Sequence, residues 1–299
     1  TFWSDACLLL DQMSTNMLRP NVFSYSAAIS ACETNARWEQ ALTLFEAMLT
    51  ARIAPNVISY SATISACEKG DQWQLALTFF DAMQTGRHRA DVISYNAAIS
   101  ACAKGAQWIM AVAFFHAMSN SNIDPTIISY NACISACEKG GQWHLAIAWF
   151  DTLSKVSHCD VISYSAAISA CEKCGHWHHA LFLFEAMPKV RVFPNLLSYS
   201  AAISACEKGS QSQHAMILFE AMSTAQLCTD VIIYSAAISA CEKGGQWQQA
   251  LTLFLDMPQA NINPNVVSYN AAISACQKGG KWKHALTLFA MLKVRHNAD

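Results

Sequence analysis

The sequence predicts an all-α solenoid of stacked helical hairpins, and three observations carry that prediction. A unit close to NVISYSAAISACEKGGQWQQALTLFEAM, followed by a short linker, recurs about eight times with a period of 35. Each copy holds two stretches free of helix breakers, separated by a turn. In the second stretch apolar residues fall three and four apart, the spacing of one helix face. A period of this size is one supersecondary element, which buries its apolar side only against copies of itself.

Residues 1–20 match the second half of a unit, since Trp3, Ala6, Met13 and Pro20 take the places of Trp247, Ala250, Met257 and Pro264. The chain is therefore expected to start in mid-repeat, as a segment of a longer protein. Eight full units follow at 21–55, 56–90, 91–125, 126–159, 160–194, 195–229, 230–264 and 265–299, as one solenoid domain. The unit from Thr126 is one residue short in its linker, and the last reads FAM at Phe289 to Met291 where Phe45 to Met48 reads FEAM. Within a unit, Val57–Lys69 runs without a breaker and Gly70 supplies a helix stop. Trp73, Leu75, Ala76, Phe79 and Met83 then resume the helical spacing. VISY taken alone favours a strand, but the AAISAC run behind it and the period overrule that reading. Pro55, Pro125, Pro194 and Pro264 close their linkers, where the second helix has ended.

At 53% hydrophobic residues the chain buries a continuous ribbon between helices, and its Ala, Ser and Cys allow close approach. Ser, Glu and Lys interrupt every apolar run well short of the roughly 18 residues that a membrane span needs. Of thirteen cysteines, eight (Cys32, Cys67, Cys102, Cys137, Cys171, Cys206, Cys241 and Cys276) occupy one repeat position. One cysteine per unit forms no pair within a unit, so these read as small packing residues in a reducing compartment. Cys171, Cys174, His176, His178 and His179 cluster in CEKCGHWHH, a spacing compatible with zinc. The repeat explains them without metal: a packing cysteine, a replaced turn glycine and histidines on a solvated helix start. No metal site and no cofactor is assigned. Trp38, Trp73, Trp108, Trp143, Trp177, Trp247 and Trp282 open the second helix, and Ser212 takes that place in the sixth unit.

The tetratricopeptide signature Trp-x-x-Leu-Gly-x-x-Tyr is missing. The first helix opens VISYSAAI or VISYNAAI, the hairpin ends ALTLFEAM, and the linker ends in Pro followed by Asn or Asp. This combination resembles the pentatricopeptide repeat family over essentially the whole chain. The resemblance implies a right-handed superhelix that binds single-stranded RNA, one base per repeat. It also implies that the base edge meets the fifth residue of the first helix and the residue just before the next first helix. The pairs are Ser26 with Asn56, Ser61 with Asp91, Asn96 with Thr126, Asn131 with Asp160, Ser165 with Asn195, Ser200 with Asp230, Ser235 with Asn265, and Asn270 with Asp299.

The chemistry of these side chains agrees with such a role. Guanine and uracil present a ring N–H that a carboxylate accepts, whereas adenine and cytosine present a bare nitrogen that an amide N–H reaches. From the family comes the other half, in which Ser leaves room for a purine and Asn extends to a pyrimidine. In the family's orientation the pairs spell 5′-AGYUAGAU-3′, the third letter being weak because the Thr126 hydroxyl both donates and accepts. Asn and Asp at these linkers would also cap helices. The resemblance further implies base-wedging side chains at Phe23, Ile58, Ile93, Ile128, Ile162, Leu197, Ile232 and Val267, positions that core packing explains equally well. It implies phosphate contacts from Lys69, Lys104, Lys139, Lys173, Lys208, Lys243 and Lys278, which would also suit a helix C-terminus. Thr34 breaks that series. Seven such contacts would give a log-log salt slope of about −5.

A net charge of −2 is unusual for a nucleic-acid partner, so charge distribution must decide. Neither the paired H-x-E and C-x-x-C motifs of a deaminase nor the clustered aspartates of a metal-dependent nuclease is present, and the segment reads as a binding module, not an enzyme. The leading expectation is a sequence-selective RNA binder acting on transcripts of a mitochondrion or chloroplast, the location that the resemblance implies. The alternative is an architectural subunit of a large organellar ribonucleoprotein, such as a ribosome, holding rRNA or protein subunits. A third reading is a protein-binding solenoid in which the paired polar residues are interchangeable.

Overall fold

The computed structural model describes residues 2–16 and 18–296, and among them the regular structure is helical throughout. The chain forms two compact units, Thr1–Ser157 and His158–Asp299. The first contains α1 (Phe2–Thr15) and four hairpins: α2 (Val22–Thr34) with α3 (Trp38–Thr50), α4 (Val57–Lys69) with α5 (Trp73–Thr85), α6 (Val92–Lys104) with α7 (Trp108–Asn120), and α8 (Ile127–Lys139) with α9 (Trp143–Val156). The second holds α10 (Val161–Lys173) with α11 (Trp177–Lys189), α12 (Leu196–Lys208) with α13 (Ser212–Thr224), α14 (Val231–Lys243) with α15 (Trp247–Gln259), and α16 (Val266–Lys278) with α17 (Trp282–His296).

Both units follow one plan. Within each unit every first helix packs on its own second helix and successive first helices pack on one another, so α2, α4, α6 and α8 form one inner layer and α10, α12, α14 and α16 another. Small residues make this possible. The repeated cysteines are fully buried there, beside buried alanines such as Ala66, Ala101, Ala205 and Ala240. Burial pushes the thiols up, to about 11 in Cys67, Cys137 and Cys241 and about 12 in Cys102, Cys171 and Cys206.

Two aromatic contacts lock successive hairpins. The tyrosine of VISY, instead of pairing in a strand, sets its ring edge-on against a phenylalanine of the preceding second helix. Phe45–Tyr60, Phe80–Tyr95, Phe115–Tyr130, Phe184–Tyr199, Phe219–Tyr234 and Phe254–Tyr269 have centroids 4.7–5.1 Å apart. The second contact is between the opening tryptophan of one hairpin and the glycine that ends the next first helix. A Cβ built on Gly70, Gly105, Gly209 or Gly279 would collide with Trp38, Trp73, Trp177 or Trp247 respectively. At Gly244 the neighbour is Ser212, buried where the other units place tryptophan.

This corrects the role expected of Gly70. Its φ is −82°, which any residue adopts, and the left-handed residue that ends the helix is the next one, Asp71, at φ 59°. Asp71 N–H donates to the Glu68 carbonyl and Gln72 N–H to that of Cys67, completing a Schellman turn. Second helices end likewise around Arg52, Arg87, Asn122, Arg191, Gln226 and Asn261, all at positive φ. The short fourth linker departs from this: Ser157 is extended and its N–H reaches the Leu153 carbonyl.

Two predictions follow from this packing. Gly105→Ala should cost about 1–3 kcal/mol through overpacking on Trp73, more than Gly245→Ala, which meets open space and costs only about 1 kcal/mol in left-handed strain. Urea midpoints of the two variants decide this, and adding Trp73→Leu should relieve the first penalty alone. Among the described cysteines, a thiol-exchange reagent at pH 8 should modify the exposed Cys228 first and the half-buried Cys159 and Cys174 next. Prompt labelling of the eight repeat cysteines would show that the inner layer opens readily.

Candidate nucleic-acid interface

The interface begins at the helix starts. The residue that ends each linker is the N-cap of the following first helix, with extended backbone at Asn21, Asn56, Asp91, Thr126, Asp160, Asn195, Asp230 and Asn265. In the Asn and Asp caps Oδ1 accepts the backbone N–H three residues on, at 2.9 Å from Ser59 to Asn56, 2.9 Å from Ser94 to Asp91 and 3.0 Å from Ser198 to Asn195. The serine hydroxyl satisfies the cap N–H in return, closing a capping box. Asp230 lacks that return bond because Ile233 stands where the serine would be.

Capping decides what remains for a ligand. A backbone N–H must meet an oxygen, so the cap fixes each Asn with Oδ1 toward the helix and its NH₂ left over. In Asp91 and Asp230 the same geometry leaves a second carboxylate oxygen. In these layers one place thus offers two donors or one acceptor, according to a single change of residue type.

The fifth residue of the preceding first helix stands beside this cap. Ser26 donates to Asn56 Oδ1 at 3.3 Å, while the hydroxyls of Ser165 and Ser235 donate to the Val161 and Val231 carbonyls at 2.7 and 2.6 Å, with Asn195 and Asn265 Oδ1 each 3.4 Å from the serine oxygen. Asn96 donates to the Thr126 hydroxyl at 3.3 Å while its own oxygen accepts from Ser129 at 2.6 Å. Ser61 turns to the Ile58 carbonyl, 3.1 Å away. Asn131 and Asp160, like Ser200, lie half-buried, and Asn270 is exposed. Asp299, expected to pair with Asn270, lies outside the described residues.

The second helical positions resolve an open choice. Phe23, Ile58, Ile93, Ile128, Ile162, Leu197, Ile232 and Val267 are all exposed, from 52% at Ile58 to 69% at Phe23, so none of them belongs to the core. Eight apolar side chains presented to solvent, one per layer, form a regular series in each unit.

The lysines end the same face. At 100° per residue, positions 2, 5, 9, 12 and 13 of a first helix fall within an arc of about 100°. The ninth residue, missed in the sequence reading, is serine in all eight first helices: Ser30, Ser65, Ser100, Ser135, Ser169, Ser204, Ser239 and Ser274. Its invariance and its spacing from positions 2 and 5 were the available signal. The twelfth is usually glutamate, and it meets the lysine of the next layer. Lys69 pairs with Glu33 at 2.9 Å, Lys104 with Glu68 at 3.4 Å and Asp71 at 3.1 Å, and Lys208 with Glu172 at 2.7 Å. Lys243 and Lys278 pair with Glu207 and Glu242, each at 2.5 Å. Although burial pushes the Glu242 carboxyl up, hydrogen bonds from Lys278 and Ser274 outweigh it and hold the group below the usual carboxylate range. Lys173 is engaged as well.

Cys171 is fully buried, the His178 ring stacks on Trp177, and among the described residues no group of three or more His, Cys, Asp or Glu is placed to hold a metal. No described helix is long and apolar enough to cross a membrane.

Family models match along the chain: the PPR repeat family at residues 20–69, 90–139 and 229–278, the pentatricopeptide repeat domain at 157–208, and the PPR repeat at 58–87, 128–155 and 267–296. The chain belongs to the pentatricopeptide repeat family. Two crystal structures of the pentatricopeptide repeat protein PPR10 in complex with an 18-nt psaJ RNA element, one a cysteine-to-serine variant, align with a TM-score of 0.72 at 18% identity. A structure of PPR10 from maize aligns at 0.62 and 19%. These alignments cover 98% of this chain but only 47–48% of theirs, so the chain spans about half their length. At this identity the likeness is one of fold. No curated protein sequence matches. The pentatricopeptide repeats therefore place the paired polar residues, the exposed apolar series and the lysines on one face of each first-helix layer.

Asn56→Ala should destabilise the segment by about 1 kcal/mol through loss of the cap, whereas Asn56→Asp should keep both cap and stability. Thermal unfolding of the two variants checks this, and equal losses would show that the cap is not supported by Oδ1.

Proposed function

We propose that this pentatricopeptide repeat segment binds single-stranded RNA in a sequence-selective manner, one base per layer, and so protects, processes or recruits machinery to an organellar transcript in a mitochondrion or chloroplast. The observation that carries the reading is the meeting of the fifth residue and the next cap, at 3.3–3.4 Å in four layers, beside an exposed apolar side chain. A base whose edge faces the pair would rest its ring on that side chain and its neighbour in the next layer. The leftover NH₂ of Asn then suits the bare ring nitrogen of adenine or cytosine, and the leftover oxygen of Asp suits the N–H of guanine or uracil. PPR10 is known with an RNA element bound, which supports the same class of ligand.

The register proposed is 5′-AGYUAGAU-3′. Its third letter is the least selective, since Asn96 already spends its oxygen and one N–H on Ser129 and Thr126. A second reading, the architectural subunit of an organellar ribonucleoprotein, draws support from the paired lysines, which leave little free positive charge to hold RNA without a precise match.

The test is equilibrium binding to an RNA containing AGCUAGAU, with a scrambled RNA and Ser61→Asn/Asp91→Asn as controls. Selective binding should disappear on scrambling, and the double variant should shift preference toward a pyrimidine at the second base. Weak binding blind to sequence would overturn the reading and favour the architectural role.

A further inference from the structure

The lysines and glutamates of the first helices form a ladder offset by one layer, in which the glutamate at position 12 of one helix neutralises the lysine 36 residues later. The ladder has one defect. Ala103 replaces the glutamate in α6, and Lys139 of α8 is exposed and, among the described residues, is the repeat lysine with neither a hydrogen bond nor an ion pair. We infer that Lys139 is the principal phosphate anchor of the RNA face, and that the other ladder lysines contribute little net electrostatic attraction. The inference rests on the RNA-binding reading above.

The physical reason is an exchange. A lysine already paired with a carboxylate gains a phosphate only by giving up that partner, and the released glutamate then stands beside the incoming negative charge. Such a swap releases almost no net counterion. Lys139 makes no such exchange, so a phosphate there releases one counterion, and the log-log salt slope should be about −0.7, not the about −5 of seven independent contacts. The position is also specific. Lys139 sits on the helix that carries Asn131 and is capped by Thr126, which places the anchor at the third to fifth bases of the proposed site.

The substitutions test the ladder in both directions. Lys139→Ala should weaken binding to AGCUAGAU RNA about tenfold at low salt and bring the salt slope close to zero. Lys243→Ala/Glu207→Gln, which removes a matched pair without changing net charge, should change affinity less than about twofold. Ala103→Glu, which restores the missing rung, should mimic Lys139→Ala without touching the lysine. Glu207→Gln, which frees Lys243, should tighten binding and steepen the slope by about 0.7. Circular dichroism melts confirm that each variant is folded. RNAs carrying one neutral methylphosphonate linkage, moved along the site, should lose affinity only when it lies near the third to fifth bases. A wild-type slope near −5, or equal losses for Lys139→Ala and Lys243→Ala/Glu207→Gln, would overturn the inference while leaving selective RNA binding intact. Absence of selective binding by the wild-type segment would overturn the functional reading and the anchor together.

Discussion

Because Ala and Cys occupy the positions where successive first helices meet, the inner-layer backbones lie close enough for one residue of each helix to touch a fixed residue of the next. Every feature of the candidate interface depends on that approach. The cap of α4 reaches Ser26 of α2, and Lys69 of α4 reaches Glu33 of α2, because neither helix is held off by a large side chain. The aromatic contacts behind the layer, tyrosine on phenylalanine and tryptophan on glycine, fix the same spacing from the other side. A larger residue in the cysteine row would separate the layers and misalign both the polar pairs and the ladder.

The caps show how folding limits the recognition alphabet. A residue at the linker end must start a helix, which favours Asn, Asp, Ser or Thr, and this chain uses only Asn, Asp and one Thr. Asn and Asp are nearly isosteric and cap through the same oxygen. They differ in the atom that capping leaves over, a donor in one and an acceptor in the other. Stability is therefore almost indifferent to a change that reverses hydrogen-bond polarity toward a base. Thr has no such leftover group, and in that layer the neighbouring asparagine is drawn into a closed network with Ser129. Capping and readout are thus not exclusive, since capping leaves the same Asn or Asp side chain an atom to present to a base.

Much of this was legible in the sequence, because a repeat multiplies each local signal by eight. Helix starts at Asn or Asp, small packing cysteines and the hairpin period all came from residue types whose preferences are local. What was not legible depended on the next layer. Gly70 reads as a helix stop by type, yet it is required for the approach of Trp38, and the left-handed position passes to Asp71. Glu68 and Lys69 point in different directions on an isolated helix, which suggests a free lysine stripe. The neighbouring helix brings Glu33 to Lys69 instead. For the second helical position, hydrophobicity alone left core and surface equal, and only the packed structure shows eight apolar residues facing solvent.

These two surface features together explain how a chain of net charge −2 could serve a polyanion. A face studded with free lysines would hold any RNA, since phosphate attraction carries no sequence information. Here the attraction is cancelled rung by rung by exposed pairs that add little stability of their own. What remains on the face is the exposed apolar series and the paired polar residues, whose interaction with a base depends on ring shape and hydrogen-bond pattern. Among the described repeat lysines the one without a partner, Lys139, stands on the helix whose cap is Thr126, the cap proposed to discriminate least. On the RNA-binding reading proposed above, recognition is weakest where the phosphate is held most strongly, and discrimination rests on the flanking layers with Asn and Asp caps.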